Sequence, residues 1–291
     1  MKIFSFFLNN HVYPGLFNNE KHFRLDPHLR SIKQLTHQHE DPAAYLKKLI
    51  SLETLEELAL DEINFAPPIH FPNKLICVAG NYIKHLEEMG NQPDKNPALT
   101  QAPWMFLVPP TTVMIGHKQN VLYPEQANCI DYEGELACVI GKTTKNITPE
   151  QALDSILGYT IFNDVSERKP HMTAHVEKPR DLSFWYKKSF DTFGPTGPYI
   201  VLKNDINLDQ IKITSSINGE VKQESHPKEM IFKIPELISF LSSFMTLEPG
   251  DIISTGTPSG VGAATGTFLN KGDTMSITID GIGTLENTLH A

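Results

Sequence analysis

A chain of 291 residues with a formal charge of −9, 40% hydrophobic and 20% charged residues has an ordinary globular composition. Its length suits one large domain, or a small one beside a larger one. The negative charge argues against non-specific binding to nucleic acid or anionic membranes, and no run approaches the ~18 apolar residues that span a bilayer.

Residues 1–70 read as a small N-terminal unit. A strand pair near residues 2–8 and 11–17 precedes polar, helix-prone sequence at 41–50 and 52–60, with Pro42 at a first helical position. Residues 1–8 carry one positive charge and too short an apolar run for a signal peptide, so the expected location is cytoplasmic. The prolines within residues 65–72 cannot continue a helix and mark a domain boundary, leaving 71–291 as the larger domain.

From Leu75 onward strands and turns dominate. Residues 81–89 read as a helical turn that sets His85 and Glu88 three apart on one face. A carboxylate on one imidazole nitrogen fixes the tautomer and raises the basicity of the other, as a general base requires. The polar loop 90–97 that follows suits a lid. A solvated helix pair accounts for the same spacing.

Residues 132–140 read as a strand. Glu133 and Glu135 then share a face with Ala137 and Val139, while Leu136, Cys138 and Ile140 take the other. Two carboxylates on a largely buried strand repel one another unless a cation or protons intervene. Asp164, after the apolar run 159–162, closes a three-oxygen set suited to Mg²⁺ or Mn²⁺. A charged strand face open to water fits this spacing equally well. Cys77, Cys129 and Cys138 lack metal or redox spacing and read as buried thiols in a reducing compartment.

A helix is expected from the cap Thr148, with Pro149 first and Gly158 as its stop. Lys187 and Lys188 lie among Trp185, Tyr186, Phe190 and Phe193. A desolvated ammonium there would stabilise a developing enolate or carboxylate, whereas snorkelling to the surface is the plainer alternative. Asn218-Gly219, between 211–217 and 220–222, predicts a type I′ hairpin, and residues 235–245 an amphipathic helix. The loop 254–262 offers backbone N–H groups and Thr257 to an anion, or is a plain structural turn. It lacks the Gly-Lys-Ser/Thr end of a phosphate loop, so nucleotide binding is not supported. Short strands at 251–254, 274–279 and 283–286 complete a β-rich α+β fold rather than a βαβ sheet.

The order of these motifs says more than any one alone. From Asn81 to the C-terminus the chain resembles the fumarylacetoacetate hydrolase family, through Asn81-Tyr82 with His85 and Glu88, Asp131-Tyr132-Glu133-Gly134-Glu135-Leu136, and Asn163-Asp164-Val165-Ser166. Lys188-Ser189-Phe190-Asp191-Thr192-Phe193, Asn218-Gly219 and Thr255-Gly256-Thr257-Pro258-Ser259-Gly260 continue the match. The resemblance implies a mixed β-roll that usually dimerises, with Mg²⁺ or Mn²⁺ on Glu133, Glu135 and Asp164. It implies a lid carrying His85 and Glu88, a catalytic lysine at Lys188 (Lys187 being the register alternative), and Thr257 on the substrate carboxylate. A small N-terminal domain appears in the longer members.

Two departures bear on the substrate. Within Ser166-Glu167-Arg168-Lys169-Pro170-His171, Arg168 matches the family but His171 stands where a substrate-binding glutamine is expected. Val108 stands where relatives often carry lysine. The resemblance thus implies a metal-dependent hydrolase that cleaves a C–C bond in a small 2,4-dioxo acid, of acylpyruvate or diketo sugar acid type. His85, oriented by Glu88, would activate water, the metal and Lys188 would stabilise the enolate, and Thr257, Arg168 and His171 would bind substrate. Decarboxylation of oxaloacetate, or hydration or isomerisation of a 2-oxo acid, are rivals on the same site. A non-catalytic 2-oxo acid binding protein is the alternative of another class.

Overall fold

The structure, a computed structural model, describes residues 1–26, 28–52, 55–94, 101–125, 127–169 and 184–290. Among these a twelve-stranded mixed sheet dominates. Its main path runs from Glu56–Leu58 through Lys21–Arg24, His11–Asn18 and Lys2–Leu8 to Gly194–Leu202. It continues through Ile156–Asn163, Gly134–Ile140, Ile252–Ser254 and Leu75–Ala79 to the edge strand Trp104–Val108. A five-stranded sheet of Glu220–Ser225, Ile213–Ile217, Thr274–Ile279, Gly283–His290 and Val121–Leu122 packs beside it.

The strand Gly134–Ile140 shows why the site lies deep. Strand alternation sends Leu136, Cys138 and Ile140 into one apolar core and Ala137 and Val139 into another. The first core is closed by the helix Ile234–Phe244, through Leu237, Ile238 and Leu241, and by Ile213, Ile277 and Leu285 of the smaller sheet. The second is closed by Ile32, Leu35 and Leu46 of the N-terminal helices Ile32–Gln38 and Pro42–Ser51. Covered on both faces, this strand is buried along its whole length. The N-terminal strands extend the same sheet, since Lys2 and Ile3 pair with Val201 and Ile200.

Local signals match the structure at several points. Asp41 caps its helix by accepting from the Ala44 N–H, with Pro42 first. Asn218 and Gly219 take positive φ between the strands they join. The three cysteines are buried and free. No helix among the described residues is long and apolar enough to cross a membrane.

Three expectations are corrected. The strand predicted at 132–140 begins only at Gly134, because Glu133 gives its N–H to the Asn163 side chain instead of to a ladder partner. The helix at Thr148 ends at Ala152 and passes through a 3₁₀ turn into the strand Ile156–Asn163. Gly158 is therefore a strand residue, not a helix stop; a Cβ there would meet the Val201 carbonyl oxygen at 2.1 Å, so its bareness serves strand packing. Within 52–60 the expected helix gives way to the strand Glu56–Leu58, which pairs with Lys21–Arg24. Lys21–Glu57 and Arg24–Glu56 ion pairs line that pairing but are largely exposed, so it is the strand pairing that overrides local helix propensity.

Candidate metal centre

Glu133, Glu135 and Asp164 meet where the adjacent strands Gly134–Ile140 and Ile156–Asn163 end side by side. The last rung pairs Gly134 with Asn163. Beyond it the Asp164 N–H donates to the Glu133 carbonyl, at 3.0 Å. The register thus sets one carboxylate just beyond each of these strand ends, Glu133 and Asp164, and a third, Glu135, one residue into the sheet. Their oxygens lie within 4.8 Å of one another, and all three side chains are buried. Glu135, 1% exposed, is held from behind: its Oε2 accepts from the Ser254 hydroxyl and the Gly256 N–H.

Among the described residues, two cationic side chains reach this cluster. Lys188, at the end of the short helix Phe184–Lys188, is 3% exposed. Its ammonium donates to Glu133 Oε2 at 2.7 Å and Asp164 Oδ2 at 2.6 Å. Lys187 is only partly buried, so Lys188 is the lysine the fold brings to the carboxylates. Arg168 donates to Glu133 Oε1 and, through Nε at 2.8 Å, to Asp131. Asp131 also accepts the N–H groups of Gly262 and Ala263, tying the loop after Thr257 to this corner.

The electrostatics are uneven across the trio. Burial alone would raise the Glu133 carboxyl, but Lys188 and Arg168 outweigh it and hold it at about 2. Among the described residues Glu135 makes no ion pair: burial, then Asp164 and Glu133, push it well above the ordinary carboxylate range against a weaker pull from Lys188. Asp164 is raised to about 6 by burial, against the pull of Lys188 and with the push of Glu133. Lys188 stays charged, since Asp164 and Glu133 overcome the opposing effect of its burial.

This donor set fits a hard divalent cation. All its ligand atoms are carboxylate oxygens, they converge, and their mutual repulsion is what such a cation would relieve. The four carboxylates of Asp131, Glu133, Glu135 and Asp164 face the two cations of Lys188 and Arg168. Full ionisation would leave two uncompensated negative charges, the number a divalent ion supplies.

A pH dependence follows. Because Glu135 and Asp164 titrate above their unfolded values, the metal-free fold holds protons that the unfolded chain has lost. Their contribution to stability is therefore full below the ordinary carboxylate range and is lost as pH rises through about 6 for Asp164. A divalent ion competes with those protons, so its affinity rises with pH by up to about tenfold per unit for each proton released. Calorimetric Mn²⁺ titration between about pH 5 and 7, in two buffers of different ionisation enthalpy, checks this. Uptake without proton release would show that the acids are already ionised.

The helix Ile83–Glu88 stands over the trio. His85 Nδ1 lies 2.8 Å from Glu88 Oε1, and Glu88 Oε2 accepts from the Gly260 N–H at 2.7 Å. Asn81, fully buried, ties the start of this helix to the Thr255 and Phe232 carbonyls. Between helix and sheet lies a cavity of about 130 Å³. His85, Glu133, Asp164, Arg168, Lys188 and Thr257 form its polar end, and Val78, Leu86, Met89, Trp104 and Phe106 its apolar walls.

The fold thus brings His85, Glu88, Lys188, Thr257 and Arg168 to the carboxylate trio. Val108 lies in the core beneath the sheet, which explains why an apolar residue suits that position. His171 and part of the expected lid loop lie outside the described residues. Sequence reasoning overlooked what holds the ligands: Asp131, Asn163, Ser254 and Gln223. Asp131 and Asn163 belong to quoted motifs, so their backbone-binding side chains were within reach of a turn analysis. Gln223 carries no local signal.

Comparison with known proteins agrees with this architecture. Residues 74–290 match the fumarylacetoacetate (FAA) hydrolase C-terminal family. Oxaloacetate tautomerase YisK of Bacillus subtilis is 44% identical over 236 residues, covering 79% of this chain and 74% of that protein. Among solved structures, the fumarylacetoacetate hydrolase of psychrophilic Exiguobacterium antarcticum superposes with a TM-score of 0.84 at 29% identity. That match covers 100% of this chain and 99% of the other. The 5-carboxymethyl-2-hydroxymuconate delta-isomerase of Mycobacterium smegmatis gives a TM-score of 0.76 at 31% identity, covering 100% and 98%. With a family match over most of its length and a buried acidic trio at the shared fold's centre, the chain belongs to the fumarylacetoacetate hydrolase family.

Proposed function

We propose that this protein is a divalent-metal-dependent enzyme that acts on a small 2-oxo acid through its enol, with keto–enol interconversion of oxaloacetate as its reaction. The observation that carries this reading is a base facing two carboxylates of the buried acid trio across one cavity. His85, held by Glu88, faces the same space as Glu133, Asp164 and Lys188.

Glu88 accepts from Nδ1–H, which leaves Nε2 of His85 as the basic nitrogen. From there His85 takes the C3 proton of the keto acid and passes it to the C2 oxygen to complete the enol; in reverse it takes the enol O–H proton and delivers it to C3. A divalent cation on Glu133, Glu135 and Asp164 would supply Lewis acidity at the 2-oxo group when bound. Lys188 adds fixed positive charge beside the developing enolate, in a pocket where low polarity strengthens it. Thr257 offers its hydroxyl to the substrate carboxylate. The cavity volume, about 130 Å³, is close to the ~150 Å³ that accepts benzene in an engineered core, which favours a compact acid. The 44% identity to an oxaloacetate tautomerase supports the same reading.

A second reading keeps the site and changes the substrate. With a 2,4-dioxo acid, His85 would activate water for attack on the 4-carbonyl, and C–C cleavage would release the enolate of pyruvate. The whole-chain likeness to a fumarylacetoacetate hydrolase favours it. The test compares chelator-treated protein with and without Mg²⁺ or Mn²⁺. Metal-dependent loss of the ultraviolet absorbance of enol-oxaloacetate, with no pyruvate formed, is the expected result. Pyruvate released from an acylpyruvate would favour hydrolysis, and pyruvate from oxaloacetate would mean decarboxylation. Metal-dependent thermal stabilisation with no turnover of any 2-oxo acid would overturn the enzymatic reading in favour of a binding protein.

A further inference from the structure

We infer that Gln223 is a positioning residue that turns the Thr257 hydroxyl toward the bound acid; the inference rests on the proposed use of the cavity. Gln223 lies on Glu220–Ser225, an outer strand of the smaller sheet, where its neighbours Lys222 and Glu224 are partly or fully exposed. Its own side chain is 1% exposed. A buried amide is costly unless its groups are satisfied, and here both ends are.

Oε1 accepts the Gly134 N–H at 3.0 Å, while Nε2 donates to Thr257 Oγ1 and to the Pro258 carbonyl, each at 2.8 Å. A backbone donor at one end and a backbone acceptor at the other leave one sense for the amide. Gly134 separates Glu133 from Glu135, and Thr257 lines the cavity. One side chain therefore ties the ligand strand to the substrate loop.

The polarity of this tie matters more than its existence. An amide nitrogen cannot accept, so Thr257 receives a hydrogen bond from Gln223 and cannot return one. Among the described residues, the remaining protein acceptor near its hydroxyl is the Gly134 carbonyl at 3.3 Å, long for an O–H···O bond. A carboxylate oxygen entering the cavity at ordinary O–H···O distance would draw the hydroxyl proton away from this long bond, as recognition of a carboxylate requires. A carboxylate at position 223 would capture that proton and reverse the hydroxyl.

A double-mutant cycle tests this with Gln223→Met, Thr257→Val and the pair. Oxalate, a planar dianion resembling the enol end of a 2-oxo acid, serves as the binding probe in the Mn²⁺-loaded protein. Each single change should weaken oxalate and raise KM for oxaloacetate by roughly 10-fold or more, with kcat less affected. The pair should be no worse than Thr257→Val alone. Mn²⁺ affinity should stay within a few-fold throughout. Losses that multiply in the pair, or a fall in Tm for Gln223→Met with unchanged KM and oxalate affinity, would overturn the inference.

Gln223→Glu covers the case in which the methionine variant does not fold, because it keeps the volume and the Gly134 contact. It should weaken oxalate at least as much as Thr257→Val, and unchanged affinity would overturn the inference equally. If wild type neither binds oxalate nor turns over a 2-oxo acid, the proposed function fails and takes this inference with it. If wild type does both and the cycle is additive, only the role of Gln223 fails.

Discussion

Glu135→Gln should yield a folded protein that has lost its divalent metal and, with it, turnover by on the order of 10³-fold. Glutamine matches glutamate in volume, and its carbonyl oxygen can still accept from Ser254 and Gly256. What changes is charge at the one ligand that, among the described residues, makes no ion pair. Glu133 already lies between Lys188 and Arg168, and Asp164 rests on Lys188. The substitution also separates metal affinity from stability. In the metal-free fold burial disfavours the charged form of Glu135, so a neutral amide of the same size suits the site. Tm in chelator should therefore be unchanged or raised, while the Tm increase that Mn²⁺ confers on wild type disappears. Electron paramagnetic resonance of free Mn²⁺ gives the affinity, and the enol-oxaloacetate assay gives the rate. Full turnover by this variant in chelator-treated buffer would refute a metal site at Glu135.

His85→Asn should show the opposite pattern, with kcat lower by about 10²–10⁴-fold and Mn²⁺ affinity and Tm close to wild type. The imidazole is hydrogen-bonded to Glu88 rather than to the trio, so its removal leaves the ligands and their partners in place. Glu88→Gln is expected to fall between, at roughly 10–100-fold, because an amide can still contact Nδ1 but no longer stabilises the imidazolium formed on proton transfer. Since Glu88 also receives the Gly260 N–H, some of that loss should appear as a raised KM through loosened docking of the Thr257 loop. If His85→Asn kept its rate, the base would have to be sought elsewhere in the cavity.

These three variants probe features that differ in how far local sequence determines them. The spacing of His85 and Glu88 and the hairpin at Asn218-Gly219 are local patterns, and the helix and hairpin formed where those patterns placed them. The helix Ile234–Phe244 likewise follows its amphipathic period within one residue. Glu133 and Glu135 reached one site, although the strand meant to align them starts after Glu133; a side chain on the neighbouring strand, Asn163, replaced the missing rung. Gly158 and the segment 52–60 were misread because their local signals were sound but weaker than strand pairing from distant sequence.

By itself the sequence determined which chemical groups are available: an acid trio, a histidine–glutamate pair, a lysine among aromatics, and turns at defined places. Backbone periodicity and turn chemistry act over a few residues, so they survive without knowledge of the rest of the chain. Only the tertiary structure decided how those groups are occupied. It selected Lys188 over Lys187, paired Arg168 with Asp131 and Glu133, and gave Gln223 to Thr257. Hydrogen-bond partners and dielectric surroundings depend on which strands lie side by side. The trio's two glutamates come within reach of Asp164 and Ser254 only because the sheet order puts those segments there, and Gln223 reaches Gly134 between them only from the second sheet.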